Sequence, residues 1–280
     1  FERKTVCFCH HSQQSERQLT FSYHEKNGGI PTIYFKMNQL YHFTDSTGST
    51  NNLLKELSVK EKLPEGYLVY TDFQTAGKGQ PGNSWESENG KNLLFSILLY
   101  PHNIRVTEQF ILSQITCLAI KKVLDKYSDE ITVKWPNDIY WKDKKMGGIL
   151  IENSLMRDKI DRCIVGIGLN VNQEKFTGNA PNPVSLKQIT GKKTDREMIL
   201  QDIHHQLIKL YLNADIEKTQ QEYHACLYRK DGFHPYIDAS SHELFFARIE
   251  QVKPDGKLVL ITKKGEKRGY YFKEVITHQK

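Results

Sequence analysis

Long hydrophobic runs are missing from this chain of 280 residues. The longest apolar stretch, Leu93–Tyr100, is interrupted by Ser96 and falls far short of the roughly 20 residues a membrane-spanning helix needs. Residues 1–30 hold no continuous apolar stretch of the kind a secretory signal uses. Cysteine is scarce: Cys7, Cys9, Cys117, Cys163 and Cys226 make an odd set with no regular spacing. That argues against a disulfide-stapled secreted fold and for reduced thiols in the cytoplasm. A strong charge of one sign is missing too, since 39 Lys+Arg against 33 Asp+Glu leave +6. This balance suits an anionic small molecule or an acidic protein as well as nucleic acid, so it selects no partner. There is no internal repeat and no low-complexity tract. Methionine is absent before Met37, and residues 1–36, rich in His, Ser, Gln and Lys, lack a sustained apolar period. A poorly ordered N-terminal extension is expected there. Its Cys7, Cys9, His10 and His11 have no second pair at zinc-site spacing and read as a chance cluster.

What remains is an ordinary globular composition, 38% hydrophobic and 26% charged, long enough for one large domain and a smaller one. Residues 37–230 alternate strand and helix signals. Ser49 is placed to cap a helix carrying Leu53, Leu54 and Leu57. Strands are expected over 67–71, 93–99, 131–134, 148–151 and 162–172. Thr107 to Tyr127 spaces its apolar residues three and four apart, as an amphipathic helix does. Thr194-Asp195-Arg196-Glu197 reads as a capping box opening a helix to about Leu212, and another helix is expected from Asp215 to Tyr228. Residues 231–280 change to short strands (244–252, 257–262, 267–272) separated by Pro254-Asp255-Gly256 and Lys263-Lys264-Gly265, which predicts a compact β-barrel.

Five segments could carry chemistry. Gln74-Thr75-Ala76-Gly77-Lys78-Gly79-Gln80-Pro81-Gly82 follows a strand. It is either a backbone cradle for an anion with Lys78 inside it, or a flexible hairpin with a solvated lysine. Pro81 replaces the helix that a dinucleotide fingerprint requires. Lys134-Trp135-Pro136-Asn137-Asp138 sets a cation, an indole, an amide and a carboxylate at a strand end, where Asn137 and Asp138 favour a turn. Asp138 is a candidate oxygen ligand for Mg²⁺. Lys144-Lys145-Met146-Gly147-Gly148 precedes an apolar strand, either as a turn with solvated lysines or as a gap kept open for a ligand. In Val165–Asn172, strand alternation puts Val165, Ile167, Leu169 and Val171 on a core face and Gly166, Gly168, Asn170 and Asn172 on an open one, the floor of a pocket. Asp45–Asn52 gathers hydroxyls and amides at a helix N-terminus.

In this order the segments resemble the catalytic domain of biotin protein ligases. The likeness rests on Ser-Thr-Asn at 49–51, Gln-x-Ala-Gly-x-Gly at 74–79, Lys-Trp-Pro-Asn-Asp at 134–138, Lys-x-Gly-Gly-Ile-Leu at 145–150 and Gly-Ile-Gly-Leu-Asn-Val at 166–171. The resemblance implies an α+β fold, a mixed-sheet catalytic domain with helices over 37–230, and an SH3-like β-barrel over 231–280. It implies activation of biotin by ATP as biotinyl-5′-AMP, with Mg²⁺, and transfer to a lysine of a biotin carboxyl carrier domain. Ser49, Thr50, Asn51, Gln74, Gly77, Lys78, Gly79, Gln80, Lys145, Gly148 and Gly168 are implied on the biotin side. Lys145 and Lys78 are the implied catalytic cations, and Gly82, Trp85, Lys134, Asn137 and Asn170 serve ATP. A homodimer is within the family's habits. With 36 residues before Met37 and no trio of amphipathic helices among them, no DNA operator binding is expected. The same architecture could serve a lipoate or octanoate ligase, and a basic barrel could instead mark a nucleic-acid-binding module, although Lys263, Lys264, Lys267 and Arg268 cluster at a turn.

Where the family loop commonly reads Gly-Arg-Gly-Arg-x-Gly, this chain has Lys78 and an uncharged Gln80. A charge-assisted hydrogen bond contributes roughly 1.5–3 kcal/mol, so biotinyl-AMP is expected to be held less tightly than by two arginines unless another cation compensates. Gln80→Arg should slow its release in a chase experiment; an unchanged off-rate would contradict this.

Overall fold

The computed structural model describes residues 40–178 and 180–278. The 1–36 segment and its Cys/His cluster lie outside them. Seven strands form a mixed sheet: β1 (Tyr41–Thr47), β2 (Leu68–Gln74), β3 (Leu93–Leu99), β4 (Ile131–Lys134), β5 (Asp138–Trp141), β6 (Lys144–Met156) and β7 (Lys159–Leu169). Their spatial order is β1-β2-β3-β7-β6-β5-β4, with β1–β2 parallel and the other pairs antiparallel. The helices are α1 (Thr50–Lys60), α2 (Phe110–Leu124), α3 (Leu186–Thr190), α4 (Arg196–Leu212) and α5 (Ile216–Ala225). A second, antiparallel sheet of β8 (His234–Asp238), β9 (Leu244–Val252), β10 (Leu258–Thr262), β11 (Lys267–Tyr270) and β12 (Val275–Thr277) follows, in the order β11-β10-β9-β8-β12. This is the expected α+β architecture with a small SH3-like module. Among the described residues no helix is long and apolar enough to cross a membrane.

The sheet is covered on both faces, which explains why β3 is buried at every position rather than at alternate ones. On one face Phe95, Ile97, Val165 and Ile167 share one core with α2 and α4, and α2 is buried nearly all round because α4 and α5 enclose its outer side. On the other, Leu98 and Ile164 meet Leu54 of α1. The C-terminal module shares the larger core through Tyr236, Phe245, Ile249 and Leu258. It docks where Trp135 Nε1 donates to Gly256 O at 2.9 Å. Gly256 has φ +89°, and a Cβ there would meet Phe110 at 2.9 Å, so this turn accepts only glycine without rearrangement.

Several local expectations need correction. Ser49 precedes α1 but its side chain makes no capping bond. Gln74 Oε1 takes the Thr50 N–H at 2.8 Å in its place, so the helix start is satisfied from the end of β2. Residues 45–47 belong to β1 and not to a helix start. Asp138 opens β5, leaving the turn to 135–137, and Lys144 and Lys145 lie inside β6, paired with β5, while the long pairing of β6 with β7 begins at Gly147. The N-cap of α4 is Asp195, which accepts from Glu197 N and Met198 N; Thr194 bonds instead to the Asn172 side chain. The helix after Asp215 stops at Ala225 because the chain is drawn onto β4, with Val133 N bonding Cys226 O and Tyr228 N bonding Val133 O.

His204 on α4 is buried, its Nδ1 2.8 Å from Tyr41 Oη and its Nε2 2.8 Å from Gly66 O. The neutral ring satisfies both by accepting from the tyrosine and donating to the carbonyl. Burial pushes its pKa down to about 4. A folded value below the unfolded one means that the unfolded chain binds the extra proton first, so stability is full above the unfolded value and falls as the pH drops below it. Between about pH 7 and about pH 5 this group should cost roughly 2 kcal/mol. Denaturant titrations of wild type and His204→Gln should converge on acidification; a gap that does not change with pH would contradict it.

Candidate active site

Alternation along β7 has a direct consequence for space. Val165, Ile167 and Leu169 fill the core, and Gly166 and Gly168 face the other way, onto an open cavity of about 320 Å³. Gly148 of β6 lies directly across from Gly168. The two leave a bare patch of sheet on which the Trp85 indole rests: a Cβ on Gly168 would come within 2.4 Å of Trp85 Cε2, and one on Gly148 within 3.3 Å of Trp85 Cζ3. The Trp85 Nε1–H is buried there without a hydrogen-bond partner. Gly166 serves a different neighbour, since a Cβ would lie 2.2 Å from Asn51 Oδ1.

Asn51 and Thr50 belong to a buried polar group centred on Ser96. The Ser96 hydroxyl is 2.6 Å from Asn51 Oδ1 and 2.7 Å from Thr50 Oγ1. Asn51 Nδ2 donates to Glu152 at 2.6 Å and to Leu150 O at 3.3 Å, and Thr50 Oγ1 is 3.2 Å from Gln74 Oε1. These bonds hold the amides and hydroxyls at one end of the cavity in fixed orientations.

Cations stand around the remaining wall. Lys145 Nζ is 2.7 Å from Asp138 Oδ1, a half-buried pair spanning β5 and β6 beside Gly148. The Lys145 backbone is pinned by bonds to Asn182 O and from Val184 N. Lys134 Nζ donates to Tyr140 Oη at 3.1 Å and lies 4.9 Å above its ring. Burial holds the Lys134 pKa below the usual lysine range, with Asp138 opposing that shift and Lys145 adding to it. Lys78 Nζ reaches Asn52 Oδ1 at 2.7 Å, tying the glycine loop to α1. Asn137 Nδ2 donates to Ile149 O at 2.5 Å and Asn137 O accepts from Ile149 N, so this amide fixes the turn against β6.

Fourteen of the expected positions therefore meet at one cavity: Ser49, Thr50, Asn51, Gln74, Lys78, Gly79, Gln80, Trp85, Lys134, Asn137, Asp138, Lys145, Gly148 and Gly168. Gly77, Gly82 and Asn170 are not on its wall. Gly77 packs under Trp85 O, where a Cβ would be 2.3 Å away. Strand alternation ends with β7 at Leu169, so Asn170 and Asn172 do not continue the open face: Asn170 bonds Asn92 and the α3 region, and Asn172 bonds Thr194. Asp138 is the one carboxylate among the described lining residues, and it is committed to Lys145. No group of three or more His, Cys, Asp or Glu among the described residues is placed to hold a metal. A resident Mg²⁺ does not fit this donor set. Sequence reasoning missed Ser96, whose signal was a lone hydroxyl inside an apolar strand. It also missed Tyr236, Phe272, Lys273 and Ile276, which bring the C-terminal module onto the same wall.

Comparison with known proteins points to one family. The Biotin/lipoate A/B protein ligase family matches residues 43–170. The chain is 33% identical over 181 residues to the bifunctional ligase/repressor BirA of Bacillus subtilis, covering 62% of this chain and 54% of that protein. It is 34% identical over 180 residues to the chloroplastic biotin–protein ligase 1 of Arabidopsis thaliana, covering 58% and 46%. The chain thus spans about half the length of the curated relatives it matches. In backbone it is similar to the biotin protein ligase from Aquifex aeolicus in complex with biotin and ATP, with a TM-score of 0.70 at 24% identity over 86% of this chain and 99% of that one. That last likeness concerns the fold.

The two open-face glycines of β7 should respond differently to a methyl group. Gly166→Ala forces Asn51 out of its buried bonds and should cost about 2 kcal/mol in a denaturant titration. Gly168→Ala displaces only the half-buried indole, so stability should hold within about 0.5 kcal/mol while ligand affinity in calorimetry falls. Equal stability losses would contradict the assignment.

Proposed function

We propose that the chain, whose residues 43–170 match the Biotin/lipoate A/B protein ligase family, is an ATP-dependent biotin protein ligase. The observation that carries the reading is the convergence of Lys145, paired to Asp138, with the bare Gly148–Gly168 floor and the Ser96-centred polar end in one cavity. The polar end suits a cyclic urea, which has two N–H donors and one carbonyl acceptor, each needing a fixed partner. The Trp85 indole resting on the glycine floor gives an extended acyl chain an apolar wall to run along toward Lys145.

In this reading the carboxylate of biotin attacks the α-phosphorus of ATP. One oxygen–phosphorus bond forms, the α–β bridging bond breaks, and pyrophosphate leaves. Two anions must approach for this to happen. Lys145 sits where both would meet and offsets their repulsion, and Asp138 holds its ammonium in place beforehand. The Trp85 Nε1–H is a spare buried donor at the same point. Lys134 and Asn137 line the nucleotide side, and an arriving phosphate returns to Lys134 the favourable environment that burial removes. In the second step a lysine amine of a biotin carboxyl carrier domain attacks the acyl carbonyl of biotinyl-5′-AMP. An amide forms, AMP departs, and the amine proton leaves to solvent. No covalent bond to the enzyme is made. Magnesium enters only as the counter-ion of the nucleotide. We place the reaction in the cytoplasm, with a second copy of the chain pairing along β1, one of the two outer strands of the larger sheet.

The test is mass spectrometric detection of acyl-AMP after incubation with ATP and biotin, lipoate or octanoate in turn, then an avidin blot of a purified carrier domain. Biotinyl-AMP and a labelled carrier are expected, and Lys145→Ala should lower adenylate formation by about 100-fold or more. Lipoyl- or octanoyl-AMP alone would contradict the reading.

A further inference from the structure

The C-terminal module touches the cavity through a residue in an unusual conformation. Lys273, between β11 and β12, has φ +70°, a region that a residue with a Cβ seldom occupies without compensation. The turn is held there by Glu274, whose N–H donates to Tyr271 O at 3.0 Å, whose side chain accepts from Tyr271 N at 2.7 Å and whose carbonyl accepts from Ala239 N at 2.9 Å. Lys273 is thereby aimed across the domain boundary. Its ammonium donates to Pro81 O at the tip of the glycine loop, and lies 3.6 Å from the place a Gly82 Cβ would take. It also lines the cavity.

The loop is closed on itself by Gly79 N to Asn83 O at 3.0 Å and Asn83 N to Gln80 O at 2.8 Å, and its tip, Gln80–Asn83, carries no charge. Lys78 points away to Asn52, and Lys145 is held by Asp138 on the sheet, away from the loop tip. Lys273 is bound to a neutral carbonyl, so it brings to the loop tip a positive charge that the loop's own residues do not supply.

We propose that Lys273 is a positioning residue, a latch by which the C-terminal module holds the Gly77–Ser84 loop over the cavity and so sets how long an acyl-adenylate is retained. This rests on the ligase reading for its ligand but not for its mechanical part. The latch touches the loop and not the reacting atoms.

Hydrogen exchange of the unliganded full chain tests the mechanical part. Lys273→Met should speed exchange at the Gly79 and Asn83 amides by about tenfold, and Lys273→Arg should restore it. Lys273→Gly relieves the left-handed strain, so it should open the loop in the same way with no loss of thermal stability. That separates the latch from a folding defect. With biotin and ATP, release of biotinyl-AMP from Lys273→Met should be three- to tenfold faster, again with rescue by arginine. Loop exchange at the wild-type rate in Lys273→Met would overturn the latch, and so would faster exchange with unchanged release. A wild-type protein that makes no biotinyl-AMP would sink the ligase reading, while the ligand-free comparison would still decide whether Lys273 holds the loop.

Discussion

The site depends on a strip of sheet from which side chains have been removed on one face only. β6 and β7 present Gly148, Gly166 and Gly168 to the cavity while Ile149, Val165 and Ile167 bind the opposite face to α2. The strands keep their register because the packed face fixes it: a slip of one residue would turn the aliphatics into the cavity and the glycines into the core. Glycine in a strand costs stability. Here that cost is met by a core that runs from the sheet into the C-terminal module, and it yields backbone that both an indole and an asparagine approach closely.

Around that strip the polar groups are fixed before any ligand arrives. Ser96, Thr50, Asn51 and Gln74 come from three elements and are held by one another; Asp138 and Lys145 are held across two adjacent strands. Buried polar groups are expensive unless satisfied. A site assembled this way spends little on ordering side chains when a substrate binds. Trp85 is the exception, with its ring nitrogen buried and unpartnered against the floor. An unmet donor at such a point is the usual mark of a place kept for something else.

Much of this was legible in the sequence, and the parts that were not have physical causes. The core face of β7 followed from alternation alone, and α2 from its apolar spacing. Alternation failed at Asn170 because the strand stops one residue earlier, a boundary set by the contacts of Asn170 and Asn172 with distant loops. Ser49 looked like a cap because its residue type favours one; Gln74, 25 positions on, took the exposed N–H by tertiary contact. β1, with the sequence Tyr-His-Phe-Thr-Asp-Ser-Thr, went unseen because an outer strand needs little hydrophobic patterning. Lys273 was invisible for a different reason. No local rule announces a lysine that reaches a loop 192 residues away.

The central claim is spatial: one ligand spans from the Ser96-centred polar end, over Gly166 and Gly168, to Lys145. A crystal structure of the protein grown with biotin and ATP tests it most directly. The account predicts the fused ring system against Thr50 and Asn51, with the acyl phosphate beside Lys145 and the Trp85 indole. Electron density for the ligand elsewhere on the chain, or with its ring system at the Lys134 end and its nucleotide at Ser96, would contradict it.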